Sequence, residues 1–445
     1  MTPPEPRTTP FPLPRTRPSR VRVLRPAPTV DAGRHAPKRT VGDEVELSAD
    51  VIRDGHEVLR AELRVKPPDG RWTTTPMDHV DAGSLGIRWA ASVVVDRPGT
   101  WTWNVRAWAD ALASWRVELT RKVDGGQDHL SSELAEGAQL LTRCAARAGA
   151  RDRPAIAAAA EVVGDADRPE PERIEAALDP DLAAMCDRHP DRSAAASLQQ
   201  PVPLAVDPVL ARFGAWYELF PRSWGGLAGV RRRLPALAEL GFDVIYLPPI
   251  SPIGLTKRKG RNNALEAGPD DPGSPWAIGD ATGGHDAVHP ELGTVADVEA
   301  LTADARALGM EIALDLAIQC SADHPWLTEH PEGFQHRPDG TLKYAENPPK
   351  KYQDIYNVDF DCDDWQGLWA ALRDVVLAWV DRGVRVFRVD NPHTKPLAFW
   401  EWLIAGVRAE HPETIFLAEA FTYRAMMQEL GRLGFNQGYT YFTWK

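Results

Sequence analysis

Residues 384–396 read VRVFRVDNPHTKP, and this stretch decides how the rest of the chain is interpreted. Its β-branched and aromatic residues predict a strand that ends at Asp390, because Pro392 and Pro396 cannot continue a ladder of backbone hydrogen bonds. Arg388 lies two residues before Asp390 and therefore shares its face of the strand. A charged pair at the end of an apolar strand indicates either a surface position or an active site.

Strand and helix patterns alternate along the chain from Phe213 onward. The predicted strands cover 215–220, 243–250, 311–318, 384–390 and 415–420, and the predicted helices cover 227–241, 294–309, 364–383 and 396–410. Near-continuous apolar strands between helices predict an α/β fold whose parallel sheet is covered on both faces. That sheet is either an open doubly wound sheet or a (β/α)8 barrel. No glycine-rich phosphate-binding motif follows a strand, which disfavours a nucleotide-binding open sheet.

Polar residues collect at the carboxyl ends of the predicted strands, where barrel enzymes carry their catalytic groups. They are Glu218, Arg222, Asp315, Gln319, Arg388, Asp390, Asn391 and Glu419. Such a succession favours a functional rim over scattered surface charges.

Asp390 and Glu419 end neighbouring predicted strands, so we expect their carboxyls to face the same opening of the barrel. Retaining glycosidases need a nucleophile and an acid/base about 5–5.5 Å apart. Arg388 would keep Asp390 ionised, whereas the apolar neighbours of Glu419 would raise the pKa of its carboxyl. The alternative is a buried Arg388–Asp390 pair that only anchors the barrel.

The residues before Phe213 divide into three parts. Residues 1–20 are rich in proline and predict a disordered or extended arm. Residues 21–123 show period-two alternation between turn signals, which predicts a β-sandwich. Residues 124–205 are rich in Ala, Glu, Asp and Arg and predict a helical insertion or linker, with a dimerisation element as the alternative. The barrel portion would then cover 206–445.

Composition excludes several classes of protein. The formal net charge of −12 disfavours a nucleic-acid binder. The sequence has no run of 18 or more apolar residues, so no membrane span is predicted. The N-terminus also lacks the apolar core of a secretory signal peptide. The four cysteines are widely scattered without metal-ligand or redox spacing, which favours free thiols in the cytoplasm. The 16 tryptophans suit either a core or a sugar-binding cleft.

Several longer stretches carry a resemblance to a known family. FRVDNPHTKP and FLAEAFT resemble the nucleophile and acid/base regions of the α-amylase superfamily. The stretches at 258–279, 283–294, 312–326 and 337–356 narrow the resemblance to the bacterial α-1,4-glucan:maltose-1-phosphate maltosyltransferases. This resemblance implies the transfer of a maltosyl unit from maltose 1-phosphate to the non-reducing end of an α-1,4-glucan, with retention and with release of phosphate. It also implies a homodimer, and no metal or organic cofactor is required.

The resemblance assigns roles to residues that match the family's motifs. Asp390 resembles the nucleophile that forms a maltosyl-enzyme intermediate, and Glu419 resembles the acid/base. Lys259, Gln319, Asp354 and Asn391 resemble donor-binding residues, beside Arg388. In the loop ENPPKKY, the residues Asn347, Lys350 and Tyr352 are candidate phosphate contacts by charge and hydrogen-bonding type. The alternative for this loop is solvated lysines.

Two departures from the α-amylase pattern qualify this assignment. Asp315 is followed by Gln319 and Cys320 where a starch hydrolase has asparagine and histidine, a substitution that the maltosyltransferases share. The family also carries a third catalytic acid after strand seven, whereas this chain stops at QGYTYFTWK. We therefore expect an incomplete barrel from a longer enzyme, inactive alone. A non-catalytic glucan-binding scaffold and an α-glucan hydrolase or branching enzyme are the alternatives.

Overall fold

A computed structural model describes residues 15, 17–81, 83 and 86–439. Most of the proline-rich arm predicted over 1–20 lies outside the described residues, as do residues 440–445. The chain folds into two compact units. The first contains the described residues up to Gly33 with Glu44–Val94 and Trp101–Leu204, and the second contains Arg34–Asp43, Val95–Thr100 and the described residues from Ala205 onward.

The early part of the chain is rich in strands. They are β1 (Val21–Ala27), β2 (Lys38–Thr40), β3 (Glu44–Arg53), β4 (Leu59–Lys66), β5 (Thr73–Pro76), β6 (Asp78–His79), β7 (Arg88–Val94) and β8 (Gly99–Ala109). In the first unit one antiparallel sheet has the order β1-β3-β7-β6. In a second sheet β4 lies between β5 and β8. The alternation places Val45, Leu47, Trp101 and Trp103 in the core.

Five helices follow in the first unit. They are α1 (Ala111–Asp124), α2 (Ser131–Arg147), α3 (Arg153–Gly164), α4 (Glu170–Leu178) and α5 (Pro180–Asp187). Asp110 caps α1 by accepting a hydrogen bond from the backbone of Ala113. The expected boundary at residue 123 therefore falls inside α1. The period-two interpretation had extended too far, because no Gly or Pro separates β8 from α1.

The remaining elements of the chain belong to the second unit, except residues 196–204, which belong to the first. The strands are β9 (Ala196–Ser197, which belongs to the first unit), β10 (Val202–Asp207), β11 (Trp216–Glu218), β12 (Val244–Leu247), β13 (Glu311–Leu316), β14 (Tyr344–Asn347), β15 (Lys350–Tyr356), β16 (Val386–Val389), β17 (Ile415–Glu419) and β18 (Gln437–Tyr439). The helices are α6 (Leu227–Glu239), α7 (Val295–Ala307), α8 (Pro325–Glu329), α9 (Trp365–Asp381), α10 (Leu397–Glu410) and α11 (Arg424–Leu433). No helix within these described ranges is long and apolar enough to cross a membrane.

Six strands of the second unit form a parallel sheet in the order β11-β12-β13-β16-β17-β18. Helices α6, α7, α9, α10 and α11 lie between successive strands along the chain, which is the arrangement of a (β/α)8 barrel carried through six strands. The predicted fold class is therefore confirmed. The strands β12, β16 and β17 of this sheet are buried on both faces, as the near-continuous apolar runs predict.

Side chains alternate between the two faces of the sheet along each strand, and this alternation decides which of them face the interior of the barrel. Val244, Ala313, Val386 and Ile415 pack together in one cluster, with Tyr246 among them. The alternate positions of the same strands, including Phe387 and Phe416, pack in a larger cluster with residues of the helices. Because Arg388 follows Val386 by two residues, it points to the same side as the inner cluster.

The hairpin of β14 and β15 is the main addition to the barrel pattern. Asn347 pairs with Lys350 at its tip. At its base, Tyr356 and Cys320 exchange backbone hydrogen bonds of 2.7 and 2.8 Å. The hairpin is thereby joined to the loop that follows β13 and carries Gln319.

Candidate active site

Arg388 is the centre of a buried charge network at the carboxyl end of the sheet. Its Nη1 donates to Asp315 Oδ2 and to Asp390 Oδ1, each at 2.8 Å. Its Nη2 lies 2.6 Å from Glu419 Oε1. The three carboxylates come from β13, from the residue after β16 and from the end of β17, which are neighbours in the sheet. One guanidinium therefore gathers the acids of three adjacent strands, as a functional rim requires.

Two acids of this network, Glu419 and Asp315, have a raised pKa. Burial raises the pKa of Glu419 to about 7; Arg388 opposes this rise and the adjacent Asp390 adds to it. Burial also raises the pKa of Asp315 to about 7, again against the effect of Arg388. A carboxyl with a pKa near 7 can carry a proton at neutral pH and release it during a reaction. The direction for Glu419 agrees with the prediction from its apolar neighbours.

Two tyrosines complete the polar contacts of this network. The Tyr246 hydroxyl donates to Asp315 Oδ2, and the Tyr246 ring lies 5.8 Å from the Arg388 guanidinium carbon. Arg388 Nε donates to the Tyr439 hydroxyl at 3.1 Å. Arg388 is therefore contacted from four strands: β12, β13, β17 and β18.

The loop after β16 is held in an unusual backbone conformation. Asn391 has φ 45° and ψ 53°, a left-handed geometry that asparagine tolerates better than most residues. This geometry directs the Asn391 backbone N–H to Glu419 Oε2 at 3.4 Å. Lys395 Nζ donates to the backbone oxygens of Asp390 and Asn391, each at 3.4 Å. The Trp400 indole donates to the Pro392 oxygen at 2.9 Å, so the loop is anchored to α10.

Lys259 and Asp354 form a second buried polar group. Lys259 is 5% exposed, and Asp354, which lies in β15, is 2% exposed. Lys259 Nζ donates to Gln353 Oε1 at 2.9 Å. Burial raises the pKa of Asp354, and the charge of Lys259 opposes that rise, so the two side chains interact. Burying such groups costs free energy unless they are hydrogen-bonded or paired.

Trp276 is contacted by Gln319 and lies in the same apolar cluster as Tyr352. Its backbone oxygen accepts a hydrogen bond of 3.4 Å from Gln319 Nε2. Tyr352 packs in the same apolar cluster as Trp276 and Ile253. The structure thus brings Gln319 and Tyr352 to one tryptophan.

Asn347 and Lys350 are placed differently. Both are exposed at the tip of the hairpin, opposite each other. Within the described part of the chain, neither belongs to the contacts of Arg388. Arg222, predicted on the rim, forms an ion pair with Glu291.

Four residues close to the carboxylates were absent from the set of candidates. Tyr246, Tyr439 and Trp276 lie in or after predicted strands and resemble ordinary core or loop aromatics in sequence. Lys395 stood in the opening stretch itself. Tyr246 lies two residues after Val244 and therefore faces the same side of the strand. This spacing could have identified Tyr246 as an inward-facing residue from the sequence.

His285, Cys320 and His324 form a buried cluster whose potential ligand atoms lie within 4.8 Å of one another. His285 Nε2 lies 3.0 Å from the Ala317 oxygen, and His285 Nδ1 lies 3.1 Å from His324 Nε2. His324 Nδ1 accepts from the Trp326 backbone at 3.1 Å. Burial lowers the pKa of His285 to about 4 and that of His324 to about 3. All four ring nitrogens are therefore engaged, and the cluster supports the loop after β13 as a hydrogen-bonded pair of neutral histidines.

The chain matches known proteins along nearly its whole length. A family profile described as α-1,4-glucan:maltose-1-phosphate maltosyltransferase, domain N/S, matches residues 19–208. The profile of the α-amylase catalytic domain matches residues 214–361.

Individual relatives agree with these two profiles. The α-1,4-glucan:maltose-1-phosphate maltosyltransferase of Chlorobaculum tepidum is 47% identical over 436 residues, which are 96% of this chain and 64% of that protein. The maltosyltransferase 1 of Streptomyces coelicolor is 49% identical over 437 residues, with the same two shares. This chain therefore spans 64% of the length of these curated relatives. Among solved structures, an α-amylase from Lactobacillus plantarum aligns with a TM-score of 0.42 and 34% identity, over 52% of this chain and 50% of that one. Over 96% of its length the chain is therefore similar to α-1,4-glucan:maltose-1-phosphate maltosyltransferases, and residues 214–361 match the catalytic domain of the α-amylases.

Proposed function

We propose that the protein transfers a maltosyl unit from α-maltose 1-phosphate to the non-reducing end of an α-1,4-glucan, with retention of configuration. The observation that carries this proposal is the convergence of Asp315, Asp390 and Glu419 on Arg388, in a chain similar to these maltosyltransferases. An ionised acid beside a proton-bearing acid is the pair that a retaining glycosyl transfer requires.

In the first step, Asp390 attacks the anomeric carbon of the donor and the bond from that carbon to the phosphate oxygen breaks. Glu419 gives its proton to the departing phosphate. Arg388 orients the Asp390 carboxylate through the 2.8 Å contact. The pKa of about 7 supports a proton on Glu419 at the start of the step. The product is a maltosyl ester of Asp390 and free phosphate.

In the second step, the 4-hydroxyl of the glucan attacks the anomeric carbon of this ester. Glu419, now a carboxylate, takes the proton of that hydroxyl, and Asp390 leaves as a carboxylate. Both acids return to their starting states, so the proton balance closes over one cycle. Two displacements at one carbon give net retention.

We assign donor recognition to Lys259, Gln319, Asp354 and Asn391. The burial of Lys259 and Asp354 supports this assignment, since a preorganised pair of buried polar groups suits sugar hydroxyls. Asn347, Lys350 and Tyr352 would contact the phosphate. Lys350 and Asn347 are exposed and hence free to meet a ligand, whereas Tyr352 is packed beside Trp276.

We also propose a homodimer in the cytoplasm, with no nucleic-acid partner, no membrane association and no cofactor. The four free cysteines among the described residues support a reducing compartment. Sedimentation of the protein should give twice the mass of one chain. A monomer over the whole concentration range would contradict the dimer and leave the transferase proposal standing.

The decisive experiment supplies the protein at its natural full length with maltose 1-phosphate and a malto-oligosaccharide, and follows phosphate release and chain elongation. Both should occur together, and Asp390→Asn should abolish both. For the Glu419→Ala variant, a maltosyl donor with fluoride as leaving group should accumulate a maltosyl ester on Asp390, visible as an added mass.

Two other outcomes would replace the proposal. Glucan cleavage without use of maltose 1-phosphate would favour a hydrolase or branching enzyme. Glucan binding with no turnover of either substrate would favour a scaffold. Full activity of Asp390→Asn would remove the role assigned to Asp390.

A further inference from the structure

Lys395 follows the turn after β16 and lies two residues before the start of α10. Its ammonium group donates to the backbone oxygens of Asp390 and Asn391, each at 3.4 Å. One cation therefore bridges two successive carbonyls, and the first of them belongs to the proposed nucleophile. Neither of the two chemical steps above gives this lysine a role.

The turn at Asn391 depends on such contacts. Asn391 has φ 45° and ψ 53°, a left-handed conformation that costs free energy for a residue with a side chain and persists where its surroundings hold it. The Asn391 oxygen accepts hydrogen bonds from the Thr394 backbone at 3.1 Å and from the Thr394 hydroxyl at 2.8 Å, in addition to that from Lys395. Three donors on one oxygen fix the orientation of the turn.

The peptide group between Asp390 and Asn391 links Lys395 to the second acid. Its oxygen is the Asp390 oxygen that accepts from Lys395. Its N–H is the Asn391 N–H that points to Glu419 Oε2 at 3.4 Å. Consecutive hydrogen bonds of this kind polarise one another, so an ammonium group on the oxygen strengthens the donor on the other side of the peptide. A single rigid peptide therefore connects the ammonium group with the Glu419 carboxyl.

The charges around Lys395 are consistent with this arrangement. Burial lowers the pKa of Lys395, and the three carboxyls of the Arg388 network oppose that fall. Among the described residues, Arg388 and Lys395 thus supply two cations to three acids. One proton on the network makes its total charge zero, which is the state that the proposed first step requires.

We propose that Lys395 is a positioning residue for both acids of the site. Its ammonium group fixes the backbone of Asp390 and, through the peptide that follows, directs a hydrogen bond onto the carboxyl of Glu419. The residue acts through this peptide and not on the reacting atoms. The catalytic meaning of this inference rests on the proposed transferase function, whereas the contacts that carry it do not.

The first test measures phosphate release from maltose 1-phosphate by the protein at its natural full length. Lys395→Met should lower kcat by about 10²-fold, a loss that a misplacement of about 1 Å can produce. Lys395→Arg retains a cation and donors for both oxygens, and it should recover most of that loss. Lys343→Met is the matched control, because Lys343 is an exposed lysine of the second unit, and it should have wild-type activity.

The dependence of this rate on pH separates positioning from a general structural role. Without Lys395 the carboxylate form of Glu419 loses a favourable charge and a polarised donor, so the pKa of Glu419 should rise. Because Glu419 must carry a proton in the first step, the fall in rate on the alkaline side should move to higher pH by about one unit. Thr394→Val removes a contact of the turn without a change in charge, and it should lower the rate with no such movement.

Unfolding gives a second readout that needs no turnover. The free energy of unfolding of the wild type minus that of Glu419→Gln should fall as the pH rises through about 7. Between Lys395→Met and the double variant that adds Glu419→Gln, the same fall should occur at higher pH. The other charged or titratable groups that face this pair are present in both members of each comparison: Arg388, Asp390, Asp315, Tyr246, Tyr439 and His393.

A wild-type protein that ignored maltose 1-phosphate would remove the proposed function, and the unfolding comparison would still decide the role of Lys395. The proposal would be overturned if Lys395→Met left both the alkaline fall in rate and the unfolding difference where they lie in the wild type. Equal activity of Lys395→Arg and Lys395→Met would contradict it as well. If Lys395→Met does not fold, Lys395→Gln keeps an N–H donor without the charge and replaces it in both comparisons.

Discussion

Arg388 is the residue on which the candidate site depends most. Its side chain is 8% exposed and contacts three carboxylates that are themselves nearly buried. Each of those acids would be costly to keep ionised in a buried position without a cation. Its position two residues before Asp390 was legible in the sequence, but its contacts with Asp315 and Glu419 were not.

Replacement of Arg388 by glutamine should destabilise the protein by about 3–5 kcal/mol, because buried acids would lose their partner. Arg373→Gln is the control, since Arg373 pairs with Asp374 on the surface with side-chain exposures of 38% and 63%. That change should cost at most about 1 kcal/mol. Urea denaturation measures both. Equal losses for the two variants would show that the Arg388 network contributes nothing special to stability.

The raised pKa of Glu419 should appear in the dependence of stability on pH. The pKa in the folded state, about 7, lies above the usual 4.5, so the folded protein holds this proton more tightly between those two values. Its stabilising effect is complete below pH 4.5 and is lost as the pH rises through about 7. The free energy of unfolding of the wild type minus that of Glu419→Gln should therefore fall across this window.

Denaturation of both proteins at a series of pH values checks the prediction for Glu419. Because the comparison is a difference, the titration of Asp315 and of other groups largely cancels. A difference that stays constant, or that rises with pH, would mean that the Glu419 carboxyl is ionised throughout the window.

At the scale of secondary-structure elements, the spacing of the apolar residues predicted helix or strand well, but it predicted the first and last residues of each element less well. The strand predicted over 243–250 is observed at Val244–Leu247, and the helix predicted over 294–309 is observed at Val295–Ala307. Apolar residues continue beyond these strands because the loops there are buried too, as Ile250 and Ile253 are. The hairpin of β14 and β15 was not predicted, since its sequence is polar and it pairs only with itself and with the loop at Cys320.

Close packing of helices depends on single small residues that no periodicity indicates. Gly137 in α2 faces Trp115 of α1, and a Cβ built on Gly137 would lie 1.9 Å from the Trp115 ring. The Trp115 indole is fixed by its 2.8 Å hydrogen bond to the Glu133 oxygen. The ring cannot give way without losing that bond and its place in the core.

Gly137→Ala should therefore destabilise the helical part of the first unit by about 1–3 kcal/mol, the usual range for overpacking. Gly406→Ala in α10 is the contrasting change, since nothing lies within 4 Å of the added Cβ. It should stabilise its helix by about 0.5–1 kcal/mol through the lower backbone entropy of alanine. Thermal unfolding monitored by circular dichroism compares them. A neutral result for Gly137→Ala would mean that α1 and α2 can separate at little cost.

At the scale of the whole molecule, the two units do not follow the order of the chain. Arg34–Asp43 and Val95–Thr100 belong to the second unit although the residues around them belong to the first. Lys38, in the first of these segments, donates to the Phe435 backbone oxygen, and β2 pairs in parallel with β10. We propose that the segments 21–123, 124–205 and 206–445 are approximate domains, whose boundaries the chain crosses more than once.

The overall charge of −12 should keep the protein off polyanions. On a heparin column at roughly 0.15 M ionic strength, where the Debye length is about 8 Å, we expect it in the flow-through. A basic protein of similar size is the control for column capacity. Retention that salt removes would reveal a basic surface that the net charge conceals, and would reopen the question of an anionic partner.

The sequence by itself determined the alternation of strands and helices, the placement of acids at strand ends and the resemblance to a family. These properties are local or periodic, so they can be read along the chain without knowledge of distant contacts. Only the tertiary structure decided that Arg388 binds Asp315 and Glu419, and that Gln319 donates to the backbone oxygen of Trp276. Each of these contacts joins residues from different elements, and their approach depends on strand order, helix packing and burial together. The physical reason is that packing, not sequence spacing, sets which polar groups share a buried volume.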